Sequence, residues 1–228
     1  MSKLPKYGIE AQKIRALLVS YGLKYDFCCF YVGEFRAGCA FLGGLNGRFV
    51  LSENGKCDRG ELAEFLTFSG FSEIFCSENA GKELAALLPC CTQRVNVMRF
   101  EGNAVPYDIE TEPPLDNVYT VLKTAFDIEY EPWYLDMSHK IRHGVSAFRA
   151  LNDSVLAIQH NINGEALLSQ VATTPEMRRK GNARRLISAV CSELSDSDVY
   201  VICEDALLEF YRRLGFRRAE VAYSLFRE

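Results

Sequence analysis

The chain has 228 residues, with 26 Lys and Arg against 30 Asp and Glu and a formal net charge of -4. This length is sufficient for one large or two small globular domains. The near balance of charges provides no polycationic face for nucleic acid or for an anionic membrane, so any anion must be bound by a local cluster of cations. The first residues lack the apolar stretch of a signal peptide, and no run of about 18 apolar residues could span a bilayer. We therefore expect a soluble, cytoplasmic protein.

The nine cysteines are an odd number. Two pairs are adjacent in sequence, Cys28 with Cys29 and Cys90 with Cys91, and no two have the C-x-x-C spacing of a zinc or redox site. We interpret the cysteines as small apolar core residues in a reducing compartment, and we expect no metal site.

In the first half, short apolar runs bounded by Gly and Asn predict strands in an antiparallel meander. These predicted strands are residues 27–32, 38–42 and 48–51. Helical periodicity then predicts a helix from residue 61 that ends at Ser69-Gly70. A strand at 73–76, a helix at 82–88 ended by Pro89 and a strand at 95–100 complete this half.

Residues 101–117 contain three prolines among acidic residues and lack apolar periodicity, which indicates a linker. We therefore predict one domain at residues 1–112 and a second at 113–228. The second half has helical patterns at 115–126 and 136–143, then strands at 146–151, 155–162 and 165–173 with turns at Asn152-Asp153 and Asn163-Gly164. A helix with one apolar face at 183–194, a strand at 199–203, a helix at 206–214 and a strand at 219–226 follow.

Positive charge is concentrated directly after the strand at 165–173. Five basic residues lie there: Arg178, Arg179, Lys180, Arg184 and Arg185. Gly181 lacks the Cβ that would block a ligand, and the following helix presents free N–H groups and the positive end of its dipole. This pattern predicts an anion site, most suitably for phosphates, with an exposed basic helix start as the alternative. The loop matches neither the Gly-Lys-Ser/Thr phosphate loop nor the three-glycine dinucleotide loop.

Two motifs then point to a family. Arg178-x-x-Gly181-x-Ala183 resembles the Gln/Arg-x-x-Gly-x-Gly/Ala signature of the GNAT superfamily of acyl-CoA-dependent N-acyltransferases. Tyr211-x-x-x-Gly215-Phe216 resembles the Tyr-x-x-x-Gly-Phe segment that follows the next strand in that superfamily. The resemblance covers about residues 113–228. It implies an α/β (α+β) fold in which helices flank a mixed, mostly antiparallel central sheet.

The first half ends in a similar strand–helix–strand pattern, which leaves internal duplication and chance similarity both open. If the halves are related, the chain is a tandem whose N-terminal half is a degenerate GNAT-like domain. Residues 52–60, where a basic glycine loop would fall in that half, contain Glu53 and Asp58 and lack a cluster of arginines. We expect that half to have lost cofactor binding.

The resemblance implies acetyl transfer from acetyl-CoA, as cosubstrate, to a primary amine of a small molecule or peptide. Backbone groups of Val171, Ala172 and Thr173 would bind the pantetheine arm, because two parallel strands splay apart there, and the N–H near Val171 would polarise the thioester carbonyl. The pyrophosphate would be bound by the following loop, which comprises Arg178, Arg179, Lys180, Gly181, Asn182, Ala183 and Arg184.

Tyr211 would donate its proton to the departing thiolate, a transfer roughly matched in pKa for an ordinary tyrosine; a core aromatic is the alternative reading. Glu204, seven residues before Tyr211, replaces an Asn that is frequent in the family, and it could repel phosphates or act as an acid–base group. Glu165 is the candidate general base, with His160 or a base acting through water as alternatives.

His139 and His143 are spaced i to i+4 as a metal pair would be, but no third ligand is suitably spaced, so we interpret them as part of a surface or substrate-wall helix. The expected partners are acetyl-CoA and an amine acceptor, with no nucleic acid and no membrane, in a monomer or homodimer. A non-catalytic acyl-CoA sensor or interaction module is the alternative function.

Overall fold

A computed structural model describes residues 4–228, without the side chains of residues 35–37 and 56. Its helices are α1 (Ile9–Tyr21), α2 (Arg59–Ser69), α3 (Glu78–Ala85), α4 (Leu115–Leu122), α5 (Tyr130–Arg142), α6 (Asn182–Glu193) and α7 (Leu208–Arg213). Its strands are β1 (Cys28–Leu45), β2 (Arg48–Cys57), β3 (Glu73–Ser77), β4 (Cys90–Phe100), β5 (Ala147–Leu151), β6 (Ser154–Ile162), β7 (Glu165–Thr173), β8 (Asp198–Cys203) and β9 (Phe216–Arg227). Short 3-10 turns span Pro175–Met177 and Asp205–Leu207.

The chain divides into two compact units. The first comprises Met1–Val97 together with Ala219–Glu228, and the second comprises Met98–Arg218. The end of β9 therefore belongs to the first unit although it is the last segment of the chain. The domain boundary that we place between residues 112 and 113 stays a prediction.

In the first unit, strand order is β1-β2-β3-β9. The β1–β2 and β3–β9 pairs are antiparallel and the β2–β3 pair is parallel. Helices α2 and α3 contribute Leu62, Leu66 and Leu84 to the core of this unit. Burial of such side chains removes apolar surface from water and is the main stabilising term.

Several boundaries in this unit differ from the sequence patterns. The predicted strands at residues 27–32 and 38–42 are one continuous strand, β1, and β4 begins at Cys90, five residues before the predicted start. Residues 52–57 are not a counterpart of the basic loop, because they extend β2 to Cys57, and Asp58 then caps α2 by accepting from the N–H groups of Gly60 and Glu61 at 3.0 and 3.1 Å. Helix α3 begins at Glu78, four residues before the predicted start. There the Ser77 hydroxyl accepts from the Ala80 N–H at 3.4 Å, a capping contact that periodicity alone does not reveal.

In the second unit, strand order is β8-β7-β6-β5. The β5–β6 and β6–β7 pairs are antiparallel and the β7–β8 pair is parallel. Both turns of this meander have the left-handed residues of a type I′ turn, with φ of 46° and 55° at Asn152 and Asp153 and of 53° and 77° at Asn163 and Gly164. The predicted hairpin turns are thereby confirmed, as is the α/β (α+β) fold with a mixed, mostly antiparallel sheet flanked by helices.

The helices of the second unit form two separate cores. The apolar face of α6, with Leu186 and Val190, packs with β7 and β8 residues such as Leu168 and Val201. Helices α4 and α5 belong to the other cluster, which contains Trp133. Helix α5 begins at Tyr130, six residues before the predicted start, because Pro132 is tolerated in the first turn of a helix.

None of the nine cysteines, all of which lie within residues 4–228, forms a disulfide, and five are buried: Cys28, Cys57, Cys76, Cys191 and Cys203. The burial of these five agrees with the interpretation of cysteines as small core residues, whereas Cys29, Cys39 and Cys90 are half-buried and Cys91 is exposed. Among residues 4–228, no helix is long and apolar enough to cross a membrane.

Candidate active site

Two parallel strands of the second unit separate towards their carboxyl ends. The ladder between β7 and β8 runs from the Glu165–Asp198 pair to the Leu168–Val201 pair and stops there, although β7 continues to Thr173. The carboxyl ends of neighbouring parallel strands are a common location for a ligand crevice. The edge of β7 that faces β8 is therefore unpaired at Val171, Ala172 and Thr173, the residues that the GNAT resemblance assigns to the pantetheine arm.

A bulge lies in β7 at the start of this open segment. Ser169 pairs with Ala157 and Ala172 with Val155, so Gln170 and Val171 together face the single residue Leu156 of β6. Gln170 has a left-handed backbone with φ of 48°. Bulges of this kind turn backbone groups away from the ladder and are frequent beside active sites.

The loop after β7 is held in place by Arg178. Its Nε donates to the carbonyl oxygen of Thr173 at 3.1 Å, and its Nη2 donates to the carbonyl oxygen of Thr124 at 3.4 Å. Two nearby residues, Arg179 and Gly181, have φ of 62° and 80°. A Cβ added at Gly181 would have no atom within 4 Å, so this position borders open space.

Helix α6 begins directly after this turn with uncapped N–H groups. Its first main-chain bond runs from the Arg185 N–H to the Gly181 carbonyl oxygen at 3.0 Å, so the N–H groups of Asn182, Ala183 and Arg184 have no partner one turn earlier. No side chain caps the helix. Asn182 is 3% exposed, and its Nδ2 donates to the carbonyl oxygen of Asn152 at 3.4 Å. Its side chain therefore anchors the loop, and only its backbone is available to a ligand.

The exposed cations of the loop are not neutralised by carboxylates. Within residues 4–228, Arg179, Lys180 and Arg184 form no ion pair, and the Lys180 Nζ has the sulfur of Met177 at 3.4 Å as its neighbour. Arg185 donates to the carbonyl oxygen of Lys180 at 3.2 Å. The site combines unpaired helix N–H groups with unpaired positive charge, which suits a phosphate group.

Two cavities of the second unit differ in charge. A cleft of about 920 Å³ lies beside Thr174, and its charged lining residues are all acidic: Asp108, Glu110, Asp153 and Glu176. A cavity of about 330 Å³ lies between the start of α6 and α7 and is lined by Arg184, Glu209, Phe210, Arg213 and Leu214. Phosphates would be repelled by the first and attracted by the second.

The sequence motifs do not include Arg213 and Phe210, although they include Tyr211 from the same segment. The signal that could identify them is their i, i+3 spacing on α7, which places both on one side of the helix. Arg213 Nε pairs with Glu209 at 2.9 Å across one turn of the exposed helix surface. Such an exposed pair contributes little to stability, so the guanidinium can exchange this partner for a ligand.

Tyr211 lies inside the core of the second unit. It is 6% exposed, and its ring contacts those of Phe210 and Phe216 with centroid distances of 5.1 and 5.5 Å. Burial, with a smaller contribution from Cys203, raises the pKa of Tyr211 to about 12. An ordinary tyrosine has a pKa close to that of a thiol, whereas the pKa of Tyr211 in this environment is well above it.

The predicted acid–base residues lie at different ends of the sheet. Glu204 is exposed directly after β8, and its carbonyl oxygen accepts from the Leu207 N–H at 3.0 Å. Glu165 is 7% exposed at the opposite end of β7. Six strand steps, about 20 Å, separate it from Val171, whereas proton transfer requires hydrogen-bond reach or one bridging water. His160, 1% exposed, pairs with Leu167 on the adjacent strand and is closer to Val171 along the sheet.

The two histidines of α5 contact each other instead of forming a metal centre. Their ring centroids are 4.2 Å apart, and Nδ1 of His143 donates to the carbonyl oxygen of His139 at 2.8 Å. In the part of the chain that the structure describes, no group of three or more His, Cys, Asp or Glu is arranged to hold a metal ion.

Comparisons with known proteins agree with this geometry. Residues 127–224 match the family model of the acetyltransferase (GNAT) domain. A GCN5-related N-acetyltransferase from Kribbella flavida has a similar structure, with a TM-score of 0.64 at 14% identity over 96% of each chain. One from Sphaerobacter thermophilus has a TM-score of 0.58 at 14% identity, over 83% of this chain and 76% of the other.

A tandem GNAT protein from the clavulanic acid biosynthesis pathway also has a similar structure. Its TM-score is 0.54 at 12% identity, over 92% of this chain and 86% of that protein. No curated protein matches by sequence. At such identities the structural similarity shows the fold alone, and the degenerate GNAT character of the N-terminal half stays a prediction. The family match carries the assignment: residues 127–224 are a GNAT acetyltransferase domain, and the chain is an acyltransferase.

Proposed function

We propose that the chain transfers an acetyl group from acetyl-CoA to a primary amine of a small molecule or peptide. The observation that carries this proposal is the open segment of β7, which leads directly into an uncapped, positively charged helix start. An elongated ligand with a polar arm at one end and phosphates at the other fits this order of groups. The space beside Gly181, where even a Cβ would touch nothing, supports the fit.

The loop would bind the pyrophosphate of CoA. The N–H groups of Asn182, Ala183 and Arg184 would donate to phosphate oxygens, with Arg179 and Lys180 supplying charge. Arg178 would act indirectly, because its guanidinium already bonds two main-chain carbonyl groups of this chain.

The adenosine end would occupy the cavity of about 330 Å³ between α6 and α7. Phe210 offers a ring face for an adenine base, and Arg213 and Arg184 offer guanidinium groups for a further phosphate. The acidic cleft beside Thr174 is unsuitable for this part of the ligand because it would place phosphates among four carboxylates.

The pantetheine arm would pair with the backbone of Val171, Ala172 and Thr173, in the way that an extra strand joins a sheet edge. The side chains there are already engaged. Ala172 is buried in the α4–α5 core, and the Thr173 hydroxyl lies 2.8 Å from that of Ser154. The backbone is therefore the part of this segment that is left to recognise a ligand, apart from the Thr173 carbonyl oxygen, which already accepts from Arg178 Nε.

In direct transfer the amine nitrogen attacks the thioester carbonyl carbon and CoA leaves as a thiolate. The Val171 N–H would donate to the carbonyl oxygen as that oxygen gains negative charge. The Tyr211 hydroxyl would donate to the leaving sulfur, and Glu204 at the end of β8 is a proposed acid–base group. A base acting through water would remove the amine proton, with His160 and the more distant Glu165 as candidates.

Calorimetry with CoA tests the cofactor part of this proposal. Arg179→Glu combined with Gly181→Trp reverses one loop charge and fills the space beside the helix start, so binding should be lost. Arg217→Glu, an exposed arginine on β9, makes the same charge change outside the loop and should bind as the wild type does. Unchanged affinity in the loop variant would refute the assignment. A panel of primary amines, scored by release of the CoA thiol, then tests the acceptor class.

A further inference from the structure

A buried tryptophan contacts β7 at its irregular residue. Trp133 Nε1 donates to Gln170 Oε1 at 3.3 Å. Trp133 is 7% exposed, and its ring lies 5.5 Å from that of Tyr119 and 5.8 Å from that of Phe148, between centroids. Because the surrounding rings restrict the indole, the direction of its N–H group is restricted as well.

Gln170 needs such an anchor because its backbone conformation is unfavourable. Its φ of 48° is left-handed, where the Cβ of any residue other than Gly crowds the neighbouring carbonyl oxygen. Ladder pairing does not impose this conformation, since the register with β6 is interrupted at this residue. Residues of this kind persist when the surrounding structure over-determines them, and they concentrate at functional sites.

The orientation of Gln170 also determines that of the next peptide group. Its ψ torsion rotates the plane that carries the Val171 N–H, so a bulge held in one conformation presents that N–H in one direction. The parallel ladder with β8 has already ended at Leu168. A donor that must face developing charge is effective only when it is directed in advance.

We propose that Trp133 and Gln170 are positioning residues for the transfer reaction. Their hydrogen bond holds the bulge of β7 and thereby directs the Val171 N–H towards the thioester carbonyl oxygen. Neither side chain touches the reacting atoms, and both act through the backbone of Val171. This inference rests on the proposed function, because it assigns the Val171 N–H its role in that reaction.

A spectroscopic experiment tests the hydrogen bond without any need for activity. Trp133 is the only tryptophan of the chain, so its indole N–H has a single resonance in a proton–nitrogen correlation spectrum. Gln170→Leu removes the acceptor and should shift this resonance. Gln159→Leu, the same change at a half-buried position of β6, should leave it in place. An unchanged resonance in Gln170→Leu overturns the proposal.

Kinetics test the positioning role. Trp133→Phe keeps an aromatic ring, although a smaller one, and removes the N–H. We expect kcat to fall about tenfold in this variant and in Gln170→Leu, because a misdirected Val171 N–H stabilises the developing charge less well. The double variant should lose no more than either single one, since the same bond is absent. CoA affinity should stay within about twofold of the wild type. Gln170→Glu retains an acceptor oxygen and should restore most of kcat.

Other outcomes separate the two proposals. A purely structural role would lower the melting temperature of the variants and leave the kcat of the folded protein unchanged, which overturns the positioning role. Losses that multiply in the double variant also contradict it. If the wild type binds no CoA and releases no thiol with any amine, the proposed function is refuted, and the positioning role is refuted as well because it depends on that function.

Discussion

Replacement of Tyr211 by Phe separates two roles for this residue. A fully matched proton donor would transfer its proton to the leaving thiolate, whereas a hydrogen-bond donor would only stabilise it. The choice depends on the pKa of the hydroxyl, which burial raises to about 12. Phe preserves the ring contacts with Phe210 and Phe216, so the change removes little besides the hydroxyl.

The pKa value sets the expected size of the effect. A thiol has a pKa near 8.5, so complete transfer from a group at about 12 is uphill by roughly 3.5 units, or about 5 kcal/mol. A hydrogen bond to a charged group contributes about 1.5–3 kcal/mol, which corresponds to about a 10- to 150-fold decrease in kcat when it is removed. We therefore expect Tyr211→Phe to reduce kcat within this range and to leave CoA affinity nearly unchanged.

Steady-state thiol release gives kcat, and calorimetry gives the affinity for CoA. Tyr107→Phe, at an exposed position between β4 and α4, is the matched control and should behave like the wild type. A loss of about 10⁴-fold or more would require an acid whose pKa is matched to its task, which is incompatible with the burial argument. Equal losses in kcat and in CoA affinity would instead indicate that the role of Tyr211 is to pack in the core of the second unit.

Three further results are expected. Arg213→Ala should weaken binding of CoA but change binding of 3′-dephospho-CoA much less, and equal weakening of both in calorimetry would exclude a phosphate contact. Burial raises the Cys191 pKa from 9.0 to about 12, so the folded state holds its proton more tightly and stability should fall as the pH rises from 9 towards 12. We expect the unfolding free energy of the wild type to decrease between pH 8 and pH 11 by about 2–3 kcal/mol more than that of Cys191→Ala. Denaturant unfolding at several pH values measures both, and parallel curves of unfolding free energy against pH would contradict this. Gly81→Ala should destabilise the first unit by about 2 kcal/mol or more, because the added Cβ would lie 2.4 Å from that of Tyr223. An unchanged melting temperature in this variant would disprove the clash.

The motif residues show how far sequence reasoning reaches in the site. The helix start directly after Gly181 and the open space beside that residue follow from the sequence, because glycine and periodicity are local properties. The role of the five basic residues in binding an anion stays a prediction. The side chain of Asn182 anchors the loop to Asn152, 30 residues earlier, a contact that the motif does not reveal and that leaves the Asn182 backbone N–H for the predicted role. Arg213 enters the candidate site only because α7 lies next to the start of α6.

Local sequence determined the elements of the second unit well. Strand β7, the apolar face of α6 and both type I′ turns follow from side-chain period and from residues that tolerate positive φ. Only the tertiary structure decided the proton affinity of Tyr211 and the contact that supports the bulge of β7. The pKa of Tyr211 depends on the core around it, and the bulge at Gln170 contacts a tryptophan 37 residues away. Desolvation and hydrogen bonding depend on neighbours in space, and a pattern along one segment contains no information about them.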